Sequence, residues 1–578
     1  MGNAKGWVLS REDIPSHQND LGNALARQGK FDEAEPHYRR ALVLDPNNFD
    51  ALNNLANILK TRGRRDEAIV CYTQATAIKP DFAMAHNNLG ITLRELGKTE
   101  DAAACHRHAI ALDPNYAEAY YNLGNALLDL RKFDEAVTNY QRAISLKPDY
   151  AEVNINLGNA FRHTGKPGDA ITSYRRAIDI RPDYVEAHHN LGNALLEQDK
   201  FEDAITCFRH AITLRPDHIE AHVNLGNALR SLGKYDEALE SYRNAIAGRP
   251  DYADAHANEA LTLLLTGDFI PGWRKYEWRW RTKQLKPHGL TKPLWDGGSL
   301  QGKTILLHSE QGLGDSIQFI RYASLVKEKG GQVWLSCPSP LSRLFASAAG
   351  IDRIFPDGVG IPDYDCHAPL LSLPMLFNTE SATIPQSVPY LSAQQDQTSI
   401  WAQRIQPFAG LKIGLVWAGN PRTDQPNAHA IDRRRSMWLD QFAPLAMDGI
   451  HFFSLQKGPP AGQLQSKPPE MEIADFMNES MDFADTAALI ANLDLVIGVD
   501  TSVIHLAGAM GKPVWVLSRF DGCWRWLLNR TDSPWYPAMR LFRQAKSGDW
   551  ASVVEDVQAA LKERLRNQAR EDIMGPEK

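Results

Sequence analysis

The chain has 578 residues, 43% of them hydrophobic and 23% charged, which excludes a collagen-like or wholly disordered protein and predicts several domains. Its 63 Lys and Arg residues are outnumbered by 70 Asp and Glu residues, and the net charge of -7 disfavours nucleic acid as the main partner. The first residues lack the apolar run of a signal peptide, and no segment of about 18 apolar residues occurs, so the sequence predicts a cytoplasmic protein without a membrane span. The six cysteines include no CxxC pair, so neither disulfides nor a bound metal ion is expected.

A repeat of 34 residues fills the first part of the chain. Its period is marked by seven prolines, each beside Asp or Asn: Pro46, Pro80, Pro114, Pro148, Pro182, Pro216 and Pro250. Each unit reads as two short amphipathic helices joined by a turn. This pattern resembles the tetratricopeptide repeat and extends over residues 15–252 in seven units, which predicts an α-solenoid, a superhelix with a long concave groove.

Glycine recurs in the first helix of these units, at Gly22, Gly90, Gly124, Gly158, Gly192 and Gly226. Alanine recurs in the second helix, as at Ala136 and Ala170. We expect the paired helices to approach closely at these positions, because bulkier side chains would push them apart.

Asparagines spaced one repeat apart form a row on the first helices: Asn54, Asn88, Asn122, Asn156, Asn190 and Asn224. A second row follows one helical turn later, so the two rows are expected to share a face. Because a carboxamide both donates and accepts, the rows predict a groove that hydrogen-bonds the backbone of a protein acceptor or partner. The O-GlcNAc transferases, whose repeat array this one resembles, use an asparagine ladder in that way. The alternative is that the amides bond between neighbouring repeats.

Residues 253–286 depart from the repeat and are predicted to be a degenerate capping unit. Ala260 takes the place of the glycine, and Pro271 is expected to interrupt the second helix. The unit is rich in tryptophan, with Trp273, Trp278 and Trp280. These side chains predict docking onto the part of the chain that follows, and binding of a ligand is the alternative.

From about residue 300 onward, strands alternate with helices, which is typical of an α/β fold. KTILLHS and QVWLSCP are predicted strands of a first Rossmann-like domain over residues 300–400, with a helix over SIQFIRYASLVKEKG. KIGLVWAGN begins a second Rossmann-like domain over residues 410–570, which includes a predicted helix at WLDQFAPLAM and a closing helix from about Ala551. Two such domains in series predict an enzyme with a cleft between them.

The first turn with candidate chemistry contains Gly312, Gly314 and Asp315. Its glycines let a ligand approach the backbone closely, and Asp315 is placed at the start of the following helix. As a purely structural residue, Asp315 would be the N-cap of a helix that begins at residue 316. Because the GxGxxG fingerprint is absent, a nicotinamide cofactor is disfavoured.

The second turn contains Asp500, Thr501 and Ser502, with His505 in the helix that follows. The backbone amides and hydroxyls at such a helix N-terminus suit a phosphate group. The sequence therefore predicts an anion site here that faces the carboxylate of Asp315.

The segments EQGLGDSIQFIRY, LVWAGN and LDLVIGVDTSVIHLAGAMGKPVWVL together resemble the GT-B glycosyltransferases of the heptosyltransferase type, over about residues 300–560. In that family the N-terminal domain presents the acceptor, and the C-terminal domain holds a nucleotide-activated sugar, usually without a metal ion. The resemblance implies that Asp315 is the general base for the acceptor hydroxyl. It also implies that Thr501 and Ser502 bind phosphate, and that Asp500 either positions the helix start or contacts the sugar.

The resemblance and the turns together give a set of predicted donor-binding residues: Gly312, Gly314, Arg435, Lys457, Asp500, Thr501, Ser502 and His505. Arg435 and Lys457 are expected to offset the charge of the leaving diphosphate. His505 has the alternative of a packed, hydrogen-bonded histidine. The WRW segment at 524–526 is expected to fill the domain interface, and a wall of the nucleotide pocket is the alternative.

The leading hypothesis is an inverting glycosyltransferase that uses a nucleotide-sugar co-substrate, no cofactor and no metal ion. Its acceptor is a Ser or Thr hydroxyl of a protein that the repeat groove recruits. One alternative is transfer to a lipid or polysaccharide, with the repeats as a docking module for partner proteins. A further alternative is a non-catalytic repeat scaffold.

Overall fold

The computed structural model describes residues 14–283, 285, 289–422 and 426–574. The chain forms two compact units, which divide between Pro216 and Asp217. The first unit is built from pairs of helices. The second unit begins with further helix pairs and continues into two parallel β-sheets. The predicted solenoid of tetratricopeptide type followed by an α/β region is therefore confirmed.

The helices of the repeats are 13 or 14 residues long and pack as consecutive pairs. In the first unit they are α1 (Pro15–Arg27), α2 (Phe31–Leu44), α3 (Phe49–Thr61), α4 (Arg65–Ile78), α5 (Ala83–Glu95), α6 (Thr99–Leu112), α7 (Ala117–Asp129), α8 (Phe133–Leu146), α9 (Ala151–His163), α10 (Pro167–Ile180), α11 (Val185–Glu197) and α12 (Phe201–Leu214). The second unit adds α13 (Ile219–Ser231), α14 (Tyr235–Gly248), α15 (Ala253–Thr266) and the shorter α16 (Phe269–Tyr276).

Glycine lies where the two helices of a repeat come closest. A Cβ atom at Gly124 would lie 2.5 Å from Cε1 of Tyr140, and the same distance separates a Cβ atom at Gly158 from Tyr174. At that separation a methyl group would force the helices apart. The alanine of the second helix is fully buried in the same repeats, as Ala136 shows. The predicted close approach at the glycines is therefore confirmed.

The capping unit consists of α15 and α16, followed by a 3₁₀ turn over Glu277–Arg281. The prediction that Pro271 interrupts the second helix is wrong, because this proline lies in the first turn of α16, where its missing N–H has no carbonyl to bond. Trp273 is buried and donates from Nε1 to the carbonyl of Thr379 at 3.1 Å. The cap is therefore docked onto the α/β region through this residue. Residues 284 and 286 of the predicted capping segment lie outside the described residues.

The first sheet has the strand order β3-β2-β1-β4, and all its strands are parallel. Its strands are β1 (Thr304–His308), β2 (Gln332–Cys337), β3 (Arg353–Pro356) and β4 (Cys366–Pro369). The helices that accompany it are α17 (Leu313–Phe319), α18 (Ala323–Lys327), α19 (Ser339–Phe345) and α20 (Leu373–Leu376). In the central strand, Leu307 pairs with Leu335 and Ala368, and all three side chains are buried.

The second sheet has six parallel strands in the order β10-β9-β8-β5-β6-β7. Its strands are β5 (Leu411–Val416), β6 (Ile450–Ser454), β7 (Ile473–Asp475), β8 (Leu495–Val499), β9 (Val514–Ser518) and β10 (Met539–Arg543). The helices of this region are α21 (Gln395–Ile405), α22 (Pro426–Arg435), α23 (Phe483–Ala491), α24 (Ser502–Ala509) and α25 (Trp550–Met574). Counted along the chain, this strand order is that of the doubly wound dinucleotide-binding folds.

Two local predictions need correction. The helix predicted to run on from Ser316 is split into α17, a 3₁₀ turn over Ile320–Tyr322 and α18. At this turn Arg321 donates to the carbonyl of Gln318 and so competes with the helical hydrogen bonds. The WLDQFAPLAM segment is a 3₁₀ helix that contains Pro444 rather than an α-helix. The arginine run that ends at Arg435 forms the last turn of α22.

Candidate functional site

In each sheet, one of the two predicted turns lies at the topological switch point, where successive strands are added on opposite sides of a central strand. β1 lies between β2 and β4, and β5 lies between β6 and β8. Parallel α/β sheets bind ligands at the carboxyl ends of the strands that flank such a point. The turn of Gly312, Gly314 and Asp315 follows β1, and the turn of Asp500 and Thr501 follows β8.

The two turns meet. A Cβ atom at Gly314 would lie 2.9 Å from Cδ2 of His505 and 3.4 Å from Cα of Ser502. Glycine is required there because α17 rests directly on the first turns of α24. The structure therefore brings together the two turns that the sequence singled out separately.

Asp315 is the third residue of α17, not an N-cap, because the helix begins at Leu313 with Gly312 as its N-cap. Its Oδ2 accepts a hydrogen bond from the backbone N–H of Gly312 at 3.1 Å. Its Oδ1 accepts from Nη2 of Arg525 in an ion pair. The two side chains are 13% and 15% exposed, so their contact is shielded but reachable from solvent.

Arg525 is a functional candidate that the sequence does not indicate. It lies in the aromatic WRW segment, yet it reaches the predicted general base from 210 residues further along the chain. Trp524 packs edge-on against Trp273 with ring centroids 5.3 Å apart, and Trp526 stacks on His505 at 5.2 Å. Trp524 therefore packs at the interface, Trp526 packs within the second half, and the arginine between them is the polar group that reaches Asp315.

Asp500 and His505 form a second polar pair, with 3.6 Å between Oδ1 and Nε2. Burial disfavours the charged form of Asp500. His505, Arg525 and Arg435 outweigh this effect and hold the pKa of that carboxyl below its usual range. Asp500 is therefore ionised at neutral pH.

His505 matches the packed alternative. It is buried, and its Nδ1 lies 2.9 Å from the hydroxyl of Tyr536. Burial lowers the pKa of His505, although Asp500 opposes this effect. Because the carboxylate of Asp500 faces Nε2, the neutral ring carries its hydrogen there and accepts from Tyr536 at Nδ1.

Thr501 and Ser502 provide the predicted anion-binding end of α24. Thr501 is the N-cap and has an extended backbone with no side-chain capping bond. Its Oγ1 is buried and has no hydrogen-bond partner among the described residues. Buried hydroxyls almost always have a partner, so this atom is consistent with a ligand that supplies an acceptor.

Arg435 and Lys457 lie at the carboxyl ends of neighbouring strands of the second sheet. Arg435 pairs with Asp432 at 2.7 Å, and its guanidinium lies against Gly419, which follows β5. Lys457 follows β6, is exposed and donates to the carbonyl of Ser480. Of these two cations, Arg435 is the one whose charge acts on Asp500.

In addition to Arg525, a cation of the capping unit reaches the segment that follows β1. Arg279 donates from Nη2 to Oε1 of Glu310 at 3.0 Å, and the N–H of Leu371 donates to the same oxygen at 3.2 Å. Next to it, the hydroxyl of Tyr276 donates to Gln311 at 3.1 Å. Burial raises the pKa of Glu310 to about 7, although Arg279 opposes this effect.

The asparagine row forms bonds along the array. Asn54 donates from Nδ2 to Asn19 at 3.1 Å and to Asn23 at 3.0 Å. Bonds to the preceding repeat are also made by Asn88, Asn122 and Asn156. Asn190 and Asn224 hold the same helical position in α11 and α13. These contacts match the alternative of bonding between neighbouring repeats.

Neither a spanning helix nor a metal cluster is found within the described ranges. No helix there is both long and apolar enough to cross a membrane. The same ranges hold no group of three or more His, Cys, Asp or Glu side chains that could bind a metal ion.

Family models match both parts of the chain. Tetratricopeptide repeat models match residues 13–81, 71–104, 90–131, 121–185, 189–253 and 223–269. The model of glycosyltransferase family 9 (heptosyltransferase) matches residues 470–517, which include β8, α24 and most of β9. The N-terminal region thus consists of tetratricopeptide repeats, and the turn at Asp500 lies inside the glycosyltransferase match.

Among curated proteins, the chain is similar to Protein FlbA of Caulobacter vibrioides, with 28% identity over 338 residues. The match covers 53% of this chain and 54% of FlbA, so the chain spans about half the length of this relative. Among solved structures, YrrB, described as a TPR protein with an unusual peptide-binding site, is 24% identical with a TM-score of 0.29 over 32% of this chain and 95% of its own. The pilF protein of Pseudomonas aeruginosa is 19% identical with a TM-score of 0.34 over 37% of this chain and 96% of its own.

Proposed function

We propose that the chain is an inverting GT-B glycosyltransferase that moves a sugar from a nucleotide-sugar donor to a Ser or Thr hydroxyl of a protein. The observation that carries this proposal is the meeting of the two turns at the carboxyl edges of two parallel sheets. A carboxylate there lies beside a helix N-terminus with an unpartnered hydroxyl, that of Thr501. Direct displacement of a phosphate from a sugar needs this combination of a base and an anion site.

In this proposal Asp315 acts on the acceptor. Its carboxylate takes the proton of the acceptor hydroxyl as the hydroxyl oxygen attacks the anomeric carbon of the sugar. The bond from that carbon to the donor phosphate breaks, and the phosphate leaves with the electron pair. Attack from the face opposite to the leaving group inverts the configuration of the sugar.

The anion site of α24 acts on the donor. The first backbone N–H groups of the helix, with the hydroxyls of Thr501 and Ser502, bind the phosphate of the nucleotide. The charge of Arg435, at the same edge of the second sheet, offsets the charge that develops on the leaving group. Because guanidinium groups and helix amides carry this charge, no metal ion is required.

The repeats recruit the acceptor. Repeats of this type generally mediate contacts between proteins, which supports a polypeptide acceptor or partner. The description of the matched family as heptosyltransferases favours a second candidate, transfer to a lipid-linked or polysaccharide sugar. In both candidates the α/β region performs the same displacement, so the acceptor must be identified by assay.

The test incubates the full chain with a panel of nucleotide-sugars and candidate acceptor proteins, with and without EDTA. Intact-mass spectrometry of the acceptor measures transfer. We expect a mass increment of one sugar that EDTA does not prevent. Asp315→Asn should lower the rate by about 100-fold or more. The matched control is Asp396→Asn, which removes an exposed carboxylate in the first turn of α21 and should leave the rate unchanged.

Two outcomes would change the conclusion. Labelled glycan or lipid without any labelled protein would select the second candidate for the acceptor. Transfer that survives Asp315→Asn at the normal rate would remove this residue from the mechanism.

A further inference from the structure

The backbone at Arg525 is fixed by its two neighbours. Trp524 is 6% exposed and Trp526 is fully buried, and each packs against rings from other elements. The arginine between them belongs to the same 3₁₀ turn, yet its side chain is 15% exposed. A rigid base with a partly exposed guanidinium allows the side chain to change partner without moving the chain.

The guanidinium of Arg525 has unused hydrogen-bonding capacity. Nη2 donates to Asp315, and Nη1 donates to the thiol sulfur of Cys523 at 3.2 Å, which is a weak acceptor. Nε is buried and has no hydrogen-bond partner among the described residues. A buried N–H of this kind is costly, and a phosphate oxygen would satisfy it.

In contrast to Nε of Arg525, both carboxylate oxygens of Asp315 already accept a hydrogen bond. Oδ2 is bound by the N–H of Gly312, and Oδ1 is bound by Arg525. The hydrogen bond from Gly312 caps the N-terminus of α17 and is kept as long as this helix is formed. Opening the contact with Arg525 would free that side of Oδ1 for the proton of an acceptor hydroxyl.

Arg525 also acts on the second turn. Burial disfavours the charged form of Asp500, and the charge of Arg525 helps to lower the pKa of this carboxyl, so the guanidinium that contacts Asp315 also acts on the second turn. An anion that binds at α24 enters the field of Asp500, which repels it. Arg525 is the cation that is close to both the repelling carboxylate and the general base.

We propose that Arg525 changes partner during the reaction: it leaves Asp315, binds the phosphate of the nucleotide-sugar and so frees Oδ1 as the base. This inference rests on the proposed function and adds a catalytic residue to it. When the bond between the anomeric carbon and the phosphate oxygen breaks, the electron pair stays on the phosphate that Arg525 holds. The proton of the acceptor passes to Oδ1 of Asp315. Donor binding then makes the base available to the acceptor.

The test measures nucleotide affinity of the full chain by isothermal titration calorimetry with ADP, GDP, UDP, CDP and CMP. Arg525→Met should weaken the best-bound nucleotide about tenfold or more, because a charge-assisted hydrogen bond is lost. Asp315→Asn should tighten it about threefold or more, because Arg525 no longer has a competing carboxylate. A variant that is merely damaged would not bind more tightly, so this second result cannot come from a structural role of Asp315.

The double variant of Arg525→Met and Asp315→Asn tests whether Arg525 changes partner. If Arg525 passes between the two anions, the tightening caused by Asp315→Asn disappears in the Arg525→Met background. If the tightening persists there, it comes from the lost negative charge alone, and the exchange is overturned. Arg530→Gln is the matched control, because Arg530 pairs with Asp532 at 2.6 Å in the same segment, and it should leave nucleotide affinity unchanged.

The remaining outcomes separate the inference from the proposed function. If Arg525→Met does not fold, Arg525→Lys takes its place: it keeps the charge but lacks the planar fork, so an affinity weaker than that of wild type supports the inference, and an unchanged affinity overturns it. A wild-type chain that binds a nucleotide while Asp315→Asn binds it no more tightly overturns the exchange and leaves the glycosyltransferase proposal standing. A wild-type chain that binds none of the five nucleotides overturns both.

Discussion

The turns after β1 and β8 occupy equivalent places in their sheets but are stabilised differently. The turn after β8 is held within its own half: His505 bonds to Tyr536 and stacks on Trp526, and all of these residues follow β8. The turn after β1 takes its cations from elsewhere. Asp315 is paired with Arg525 of the second half, and Glu310 is paired with Arg279 of the capping unit.

This difference indicates that the two turns have different roles. A turn whose hydrogen bonds and stacking partners lie in its own half depends less on distant groups for its geometry, which suits the site that binds an anion. A turn whose carboxylates depend on distant cations can change its charge state when those cations move, which suits a general base. The experiments below test this contrast, beginning with the largest expected effect.

The contact between Glu310 and Arg279 of the capping unit is tested by measuring stability at two pH values. The folded-state pKa of Glu310, about 7, lies above the value of about 4.3 for an unfolded chain, so its stabilising contribution is present at low pH and is lost as pH rises to about 7. Glu310→Gln should therefore gain about 1–3 kcal/mol relative to wild type between pH 5 and pH 8. Urea unfolding followed by tryptophan fluorescence measures this, because 13 of the 14 tryptophans lie at or after Trp273.

A difference in stability between Glu310→Gln and wild type that is the same at both pH values would contradict the burial of an ionisable carboxyl at this position. Asp396→Asn serves as the pH control. Its exposed carboxylate should give a difference that does not change between pH 5 and pH 8.

The contact between the two turns is tested by adding one methyl group. Gly314→Ala places Cβ 2.9 Å from the ring of His505, so we expect a loss of about 1–3 kcal/mol of unfolding free energy. Gly312→Ala is the matched control in the same turn, because its Cβ would meet only the flexible end of Asp315, at 3.1 Å. Its cost should stay below about 1 kcal/mol. Equal costs for the two variants would show that the turns do not touch.

The turn after β8 is tested with Tyr536→Phe. The variant leaves Nδ1 of His505 buried without its donor, so the α/β region should lose about 1 kcal/mol of stability. Its nucleotide affinity should change less than that of Arg525→Met, since no charged group is lost. Tyr364→Phe, at the edge of the first sheet, is the control and should be close to neutral. A tenfold loss of nucleotide affinity in Tyr536→Phe would show that the second turn is not rigid by itself.

The repeats were predictable because their contacts are local. Gly124 meets Tyr140 only 16 residues later, and the period of 34 residues repeats the same pair along the array. The apolar strands β1 and β2 are also predicted from their composition. Short edge strands are not, since β3 has four residues and begins with an exposed arginine, and β7 has three residues.

The candidate site was predictable only in part. Asp315 and Thr501 were identified because glycines and hydroxyls stand at the ends of apolar strands. Arg525 was missed because nothing in the WRW segment indicates which distant carboxylate it meets. An arginine between two buried tryptophans is the signal that could have identified it, since both indoles fix the backbone and leave one polar group to be placed.

Arg279 and Tyr276 of the capping unit bind side chains just after β1, and these contacts limit where the chain can be truncated or fused to another protein. A fragment that starts at the linker after the capping unit would lose the counter-ion of Glu310 and the hydroxyl that holds Gln311. Exchange of the repeats between homologues is therefore expected to succeed upstream, near the boundary of Pro216 and Asp217, rather than at the end of the solenoid. The capping unit therefore belongs structurally with the α/β region.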